Sequence, residues 1–241
     1  MSSTAPREPG AADGDTPAGR ATPQPRARAT RLAILTAAAE HFARHGYHAT
    51  SLDRVLTDSG GTKGALYFHF ASKEALARAV IAEMEQQWAT LRTQVRARGL
   101  DPLSTLLALV DEVIAQLIDS PIARGGARLR NDLPMRGHDD FGERSALALL
   151  TEAAQAGLLR QGVEPAQVAR QIIALLVGHR QICEAMGGPQ DLWQRIDDAW
   201  RFLLPAIGTD AWLAAWRASG QASRPRPPAH EEGNGLEDQP R

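Results

Sequence analysis

Two short helical stretches joined by Gly60-Gly61 and preceded by a longer amphipathic helix confine the N-terminal third of this chain to one small skeleton, a helix-turn-helix unit. The first helix is expected from about Arg28 to His45. Ile34, Ala38 and Phe42 recur there at every fourth residue, Leu35 widens the stripe, and Gly46 stops it. Thr50 is expected to cap the second helix, with Asp53 in the capping-box position and Leu52, Val55 and Leu56 as the apolar side. Thr62 caps the third, from Lys63 to about His69. Ser72 caps a longer fourth that carries Leu76, Val80, Met84, Trp88, Leu91 and Val95 and ends at Gly99.

The remainder also reads as helix, and no alternating strand pattern interrupts it. Residues 102–118 are apolar on most sides (Leu103, Leu106, Leu107, Val110, Ile114, Leu117), as suits a central buried helix. Pro121 ends it, a shorter helix follows to about Arg130, and Asn131–Asp140 reads as a loop. Helices are expected at about 141–156, 165–186 and 189–206, with a short last one holding Trp212 and Trp216. Residues 1–27 and 219–241, rich in Pro, Gly and small or charged residues, are expected to be disordered. The fold class is therefore all-α: a three-helix head at 28–75 and a helical body at 76–218.

The chemistry of the head is concentrated in residues 62–74. Of 27 Lys+Arg, lysine occurs only at Lys63 and Lys73, and all the other cations are arginine. The formal charge of −1 excludes a uniformly basic nucleic-acid coat. From Arg20 to Lys73, however, eight Lys/Arg face three acids, a local excess suited to binding a polyanion at one end. On the third helix Lys63, Gly64 and Tyr67 share one sector, while Leu66 lies outside it and packs back. Lys63 is placed to reach a guanine edge, bare Gly64 lets the backbone approach bases, and Tyr67 and His69 can donate to phosphates. Lys73 opens the fourth helix, where free N–H groups already favour a phosphate.

Residues 28–76, read through Gly46-Tyr47, Thr50-Ser51, Thr62-Lys63-Gly64-Ala65-Leu66-Tyr67-Phe68-His69-Phe70 and Ser72-Lys73-Glu74, closely resemble the DNA-binding domain of TetR-type transcriptional regulators. The run Thr62–Phe70 looks most like the γ-butyrolactone receptor branch of actinomycetes, and Pro121–Arg130 resembles that branch more loosely. The resemblance implies an N-terminal helix-turn-helix DNA-binding domain and a C-terminal ligand-binding and dimerisation domain. It implies phosphate contacts from Thr50, Thr62, Tyr67, His69 and Lys73, with Ser51 beside them, and base approach by Lys63 and Gly64. It also implies a repressor on a palindromic double-stranded operator, released by a γ-butyrolactone-like, furan or butenolide signal and controlling secondary-metabolite genes. A same-fold regulator of an antibiotic or biosynthetic intermediate is the alternative effector class. The chain departs from the pattern at two places. Gly61 replaces an apolar residue before the third helix, removing a staple onto Leu66 and loosening the turn by about 1 kcal/mol. Asp139-Asp140-Phe141 stands where that branch tends to carry a pocket tryptophan, so Phe141 is its stand-in.

The effector pocket is expected between the fourth, fifth and seventh helices, walled by Trp88, Leu107, Val110, Ile114, Asn131, Phe141 and Leu150, with Gln87 or Asn131 as polar groups. A homodimer is expected through helices 165–186 and 189–206, where Leu192-Trp193, Ile196, Trp200 and Leu203-Leu204 form an apolar stripe. The rival for that stripe is the chain's own core. His41 and His45, one turn apart, read as packing more readily than as metal ligands. His179 and Cys183, the only candidate pair for an enzyme, read as core or interface. No cofactor motif appears, so neither a cofactor nor a metal is expected, nor is catalysis. Cys183 is the only cysteine, and no signal peptide or apolar run long enough for a membrane occurs; the expected compartment is the cytoplasm, with no membrane partner.

Overall fold

Capping side chains and left-handed glycines set the helix boundaries. The computed structural model describes residues 23–133 and 141–223. These form α1 (Pro23–Ala49), α2 (Leu52–Ser59), α3 (Lys63–His69), α4 (Lys73–Arg96), α5 (Pro102–Asp119), α6 (Pro121–Asp132), α7 (Phe141–Gln155), α8 (Pro165–Ala185), α9 (Leu192–Ile207) and α10 (Asp210–Ser223), with a 3-10 turn at Pro189–Asp191. There is no strand among the described residues, and Leu159 and Gly208 form an isolated antiparallel bridge. The all-α reading holds. Thr62 Oγ1 accepts from the Ala65 N–H at 3.2 Å, Ser72 Oγ from Ala75 at 3.1 Å, and Asp101 Oδ1 from Leu103 and Ser104 at 3.0 Å. Each such cap contributes about 1 kcal/mol to its helix.

Several boundaries differ from expectation. Residues 23–27 are the first turns of α1, and α10 continues to Ser223; the other residues expected to be disordered, 1–22 and 224–241, lie outside the described residues. α6 extends through Asp132, so the expected loop begins later, and 134–140 are likewise outside. Thr50 does not cap α2. Gly46 leaves helical geometry (φ 72°, ψ 178°), which frees its carbonyl, and the buried Thr50 hydroxyl donates to it at 2.7 Å. Ser51 takes the N-cap place without a side-chain bond, and the capping box is absent. Gly60, at φ 63°, closes α2 as the turn requires.

One apolar core runs the length of the molecule. It begins at Ile34, Leu35, Phe42 and Leu66 in the head, continues through Leu76, Val80 and Met84 of α4 and Leu103, Leu106 and Ile114 of α5, and reaches Ile172, Ile196, Trp200 and Leu204. The α9 residues settle one alternative: Leu192, Ile196, Trp200 and Leu204 are buried within this chain, so most of the stripe expected for a dimer is intrachain core. What α8 and α9 leave exposed is Val177, Ile182, Met186 and Phe202. Trp212 donates its indole N–H to Asp101 Oδ1 at 3.1 Å and stacks on Trp216, tying α10 to the start of α5.

α6 is the wedge between head and body. A Cβ on Gly125 would lie 2.4 Å from the Ala39 carbonyl oxygen, and one on Gly126 would lie 2.7 Å from Met84 Sδ. Only side-chain-free residues allow α6 this close to α1 and α4. At its C-terminal end Asp132 Oδ2 accepts the Tyr47 backbone N–H at 2.8 Å, beside Arg128 at 3.8 Å.

Candidate nucleic-acid interface and interior cavity

α3 is held from one side and bare on the other. Leu66 is fully buried, and Phe70 is 4% exposed with the Arg31 guanidinium 5.2 Å from its ring centre. Thr62, Lys63, Gly64, Tyr67 and Phe68 are exposed, and a Cβ placed on Gly64 would meet nothing within 4 Å. Ser51, at the start of α2, is exposed as well. Phe68, 81% exposed, was not among the expected contacts. Its signal was available, because it lies about 140° round the helix from Lys63 and next to Gly64. His69 is half-buried, its ring edge-on to Phe68 at 5.0 Å.

Two expected phosphate ligands are otherwise engaged. Thr50 is buried, with its proton given to Gly46, so it cannot donate to DNA without breaking that bond. Lys73 Nζ donates to the His48 carbonyl at 3.1 Å and lies 4.9 Å from the centre of the Tyr47 ring. Desolvation there pulls its pKa below the ordinary lysine value. Lys73 thus ties the start of α4 to the end of α1, with further ammonium N–H groups left over. The missing contact at Gly61 also differs from expectation. A Cβ there would sit 3.5 Å from Ile34 Cγ1, so the neighbour it lacks is α1 rather than Leu66.

His41 Nε2 is 2.7 Å from Asp58 Oδ2, linking α1 to α2, while the His45 ring is 5.9 Å away. Among the described residues no three His, Cys, Asp or Glu cluster as metal ligands would. Cys183 is 2% exposed, and burial, the largest influence, pushes its thiol pKa up. Buried His179 Nδ1 has no hydrogen-bond partner, so it does not serve Cys183 as a base.

In the body, a cavity of about 410 Å³ opens between α4, α5, α6, α7 and α8. Trp88, Val110 and Asn131 line it. Leu107, Ile114 and Leu150 do not; they are core residues at 4%, 0% and 0% exposure. Phe141 begins α7, but its side chain is outside the described residues. Gln87 is also absent from the wall and donates to Glu83 at 3.3 Å. The unanticipated walls are Leu106, Leu109, Val113 and Leu117 of α5 and Ile172, Ile173, Leu176 and Val177 of α8, with Arg92, Arg130, Ser145 and Arg180 as further polar members. Arg92 Nη1 donates to Ser145 Oγ at 3.3 Å. Its pKa is lowered, first by desolvation and then by neighbouring Arg96. Arg180, 5% exposed, pairs with Glu184. No described helix is long and apolar enough to cross a membrane.

Residues 34–80, α1 through the first turns of α4, match the family model described as bacterial regulatory proteins, tetR family. The A-factor receptor protein of Streptomyces griseus is 32% identical over 201 residues, covering 82% of this chain and 71% of that protein. Among solved structures, CprB of Streptomyces coelicolor in complex with its operator sequence superposes with a TM-score of 0.73 at 28% identity, covering 83% of this chain and 98% of that one. A γ-butyrolactone receptor described as ArpA-like gives a TM-score of 0.71 at 27% identity, covering 82% of this chain and 97% of that one. By the extent and identity of the first of these matches, with the same fold in the others, the chain belongs to the tetR family of bacterial regulatory proteins.

Proposed function

We propose that this protein is a dimeric transcriptional repressor that sits on a palindromic operator and leaves it when a small signalling molecule fills the cavity of the body. The observation that carries the reading is α3: it is anchored by Leu66 and Phe70, and it offers Lys63, bare Gly64, Tyr67 and Phe68 outward. Lys63 and Gly64 approach base edges. Thr62, Tyr67, His69 and Ser51 serve the phosphates, joined by Lys73 through its remaining donors. The head at 28–75 and body at 76–218 are the working units. The S. griseus relative is a receptor for A-factor, and the similar structures include γ-butyrolactone receptors, which supports a lactone-like, furan or butenolide effector and secondary-metabolite genes as targets.

Release works by differential affinity. The effector favours a body arrangement in which α4 holds the two reading heads at the wrong separation, and its binding free energy is useful only as far as it differs between the two arrangements. No catalysis is involved, and no cofactor is called for.

The test is footprinting of the purified protein on genomic DNA, followed by titration of salt. Protection of an inverted repeat is expected, with affinity falling steeply as ionic strength rises. Equal binding to inverted repeats and random duplex would overturn the reading.

A further inference from the structure

The cavity wall is sorted by hydrogen-bonding role in a way that narrows what fits. Its apolar part comes from α5 and α8, with Leu106, Val110 and Ile172 among its members. Of its polar members, Arg92, Arg130 and Arg180 are guanidiniums, which donate and cannot accept. Trp88 is the other aromatic donor in the wall, and its indole N–H is buried without an acceptor. Among the described residues no Asp or Glu lines the cavity. The same holds for a neighbouring hollow of about 250 Å³, which shares Arg92, Leu109 and Ser145 and adds Arg96 and Arg144.

A cavity walled by donors is mismatched to a purely apolar guest, because each buried donor that loses water needs an acceptor. A neutral lactone brings a carbonyl and a ring oxygen. A carboxylate brings two anionic oxygens that take forked guanidinium donors, and it offsets the crowding of positive charge at Arg92 and Arg96. Buried Arg180 is held in place by Glu184, a preorganised arm of the kind a dry binding site needs.

We propose that the effector of this protein is an amphipathic carboxylic acid, bound as its anion, with its carbon chain against α5 and α8 and its carboxylate among Arg92, Arg130, Arg180 and the Trp88 N–H. This rests on the reading of the cavity as the effector site and specifies the chemical class it takes. Anion recognition is then the step that distinguishes this regulator's signal from neutral molecules of the same length.

Calorimetric titration of the full-length protein with octanoate and, separately, with neutral γ-octalactone tests the proposal, since the two probes match in carbon number and differ in charge. Octanoate is expected to bind about 10-fold or more tightly at neutral pH. Arg92→Met and Arg130→Leu, tested separately, should each reduce or abolish that preference while leaving lactone affinity nearly unchanged. Circular dichroism of each variant guards against misfolding, and Leu109→Ala should weaken both probes alike. The proposal is overturned if the lactone binds as well as octanoate, if neither binds at millimolar concentration, or if octanoate binding ignores both arginine substitutions. Operator binding of the same preparations is measured alongside. Loss of sequence preference there removes the repressor reading without touching the charge preference, and an acid that binds without releasing DNA removes only the release step.

Discussion

Lys63 and Lys73 carry the same charge into different surroundings, and that difference sets what each contributes. Lys63 is exposed on a helix face beside a bare glycine, whereas Lys73 is spent in part on the His48 carbonyl and the Tyr47 ring. Replacing Lys63 by alanine is expected to relax base preference at one operator position by about 1–3 kcal/mol while leaving the melting temperature unchanged. Lys73→Ala should weaken binding to all sequences alike and also cost about 1–2 kcal/mol of stability, because it unties α4 from α1. Competition binding to operator variants, paired with thermal melting, separates the two; equal losses of discrimination would contradict the assigned roles. Much at this scale was legible. The capping roles of Thr62 and Ser72 followed from residue type and position. Thr50 was misassigned because the hydroxyl that caps a helix also bonds a freed carbonyl, and only the backbone at Gly46 decides between them.

At the level of helices, α6 connects the two activities. One part of it lines the cavity with Ala127, Arg130 and Asn131, while Gly125, Gly126 and Asp132 meet α1, α4 and the Tyr47 backbone. A guest pressing on α6 therefore presses on the frame that carries α3. Gly125→Ala places a methyl against Ala39 backbone atoms, which cannot yield as a flexible side-chain end would. The expected cost is about 1–3 kcal/mol of stability together with weaker operator binding, read by melting and by fluorescence anisotropy on labelled DNA. Operator affinity and melting temperature both left at wild-type values would show that α6 does not set the position of α1. The wedge was not legible in the sequence. Pro121 and Ser120 announce a helix, but the closeness of Ala39 and Met84 depends on residues far away in the chain. The cavity wall was half-legible for a similar reason. α5 is apolar nearly all round, so periodicity could not tell the face toward the cavity (Leu106, Leu109, Val110, Val113, Leu117) from the face toward the core (Leu103, Leu107, Ile114). α8 was read only as a dimer helix, and its cavity face was missed.

For the whole molecule, one operator half-site is a small target, and the family skeleton reads a palindrome only when two heads are held at a fixed separation. Burial of Leu192, Ile196, Trp200 and Leu204 in the chain's own core removes most of the stripe first assigned to the partner. It leaves Val177, Ile182, Met186 and Phe202 exposed on α8 and α9, the last at 87%. A two-fold interface repeats the same patch on both sides, so one substitution is felt twice. Phe202→Glu is thus expected to bring two like charges into an apolar contact and shift the protein from dimer to monomer in sedimentation at micromolar concentration. Because the side chain touches little of its own chain, helicity should be retained. Operator affinity should fall by about 100-fold or more, since the second head no longer binds as a tethered partner of the first. Cavity binding of a small ligand, which involves one chain, should survive. A variant that stays dimeric with full operator affinity would place the seam elsewhere on the body; a monomer that still binds the operator as tightly as the parent would remove dimerisation from the mechanism.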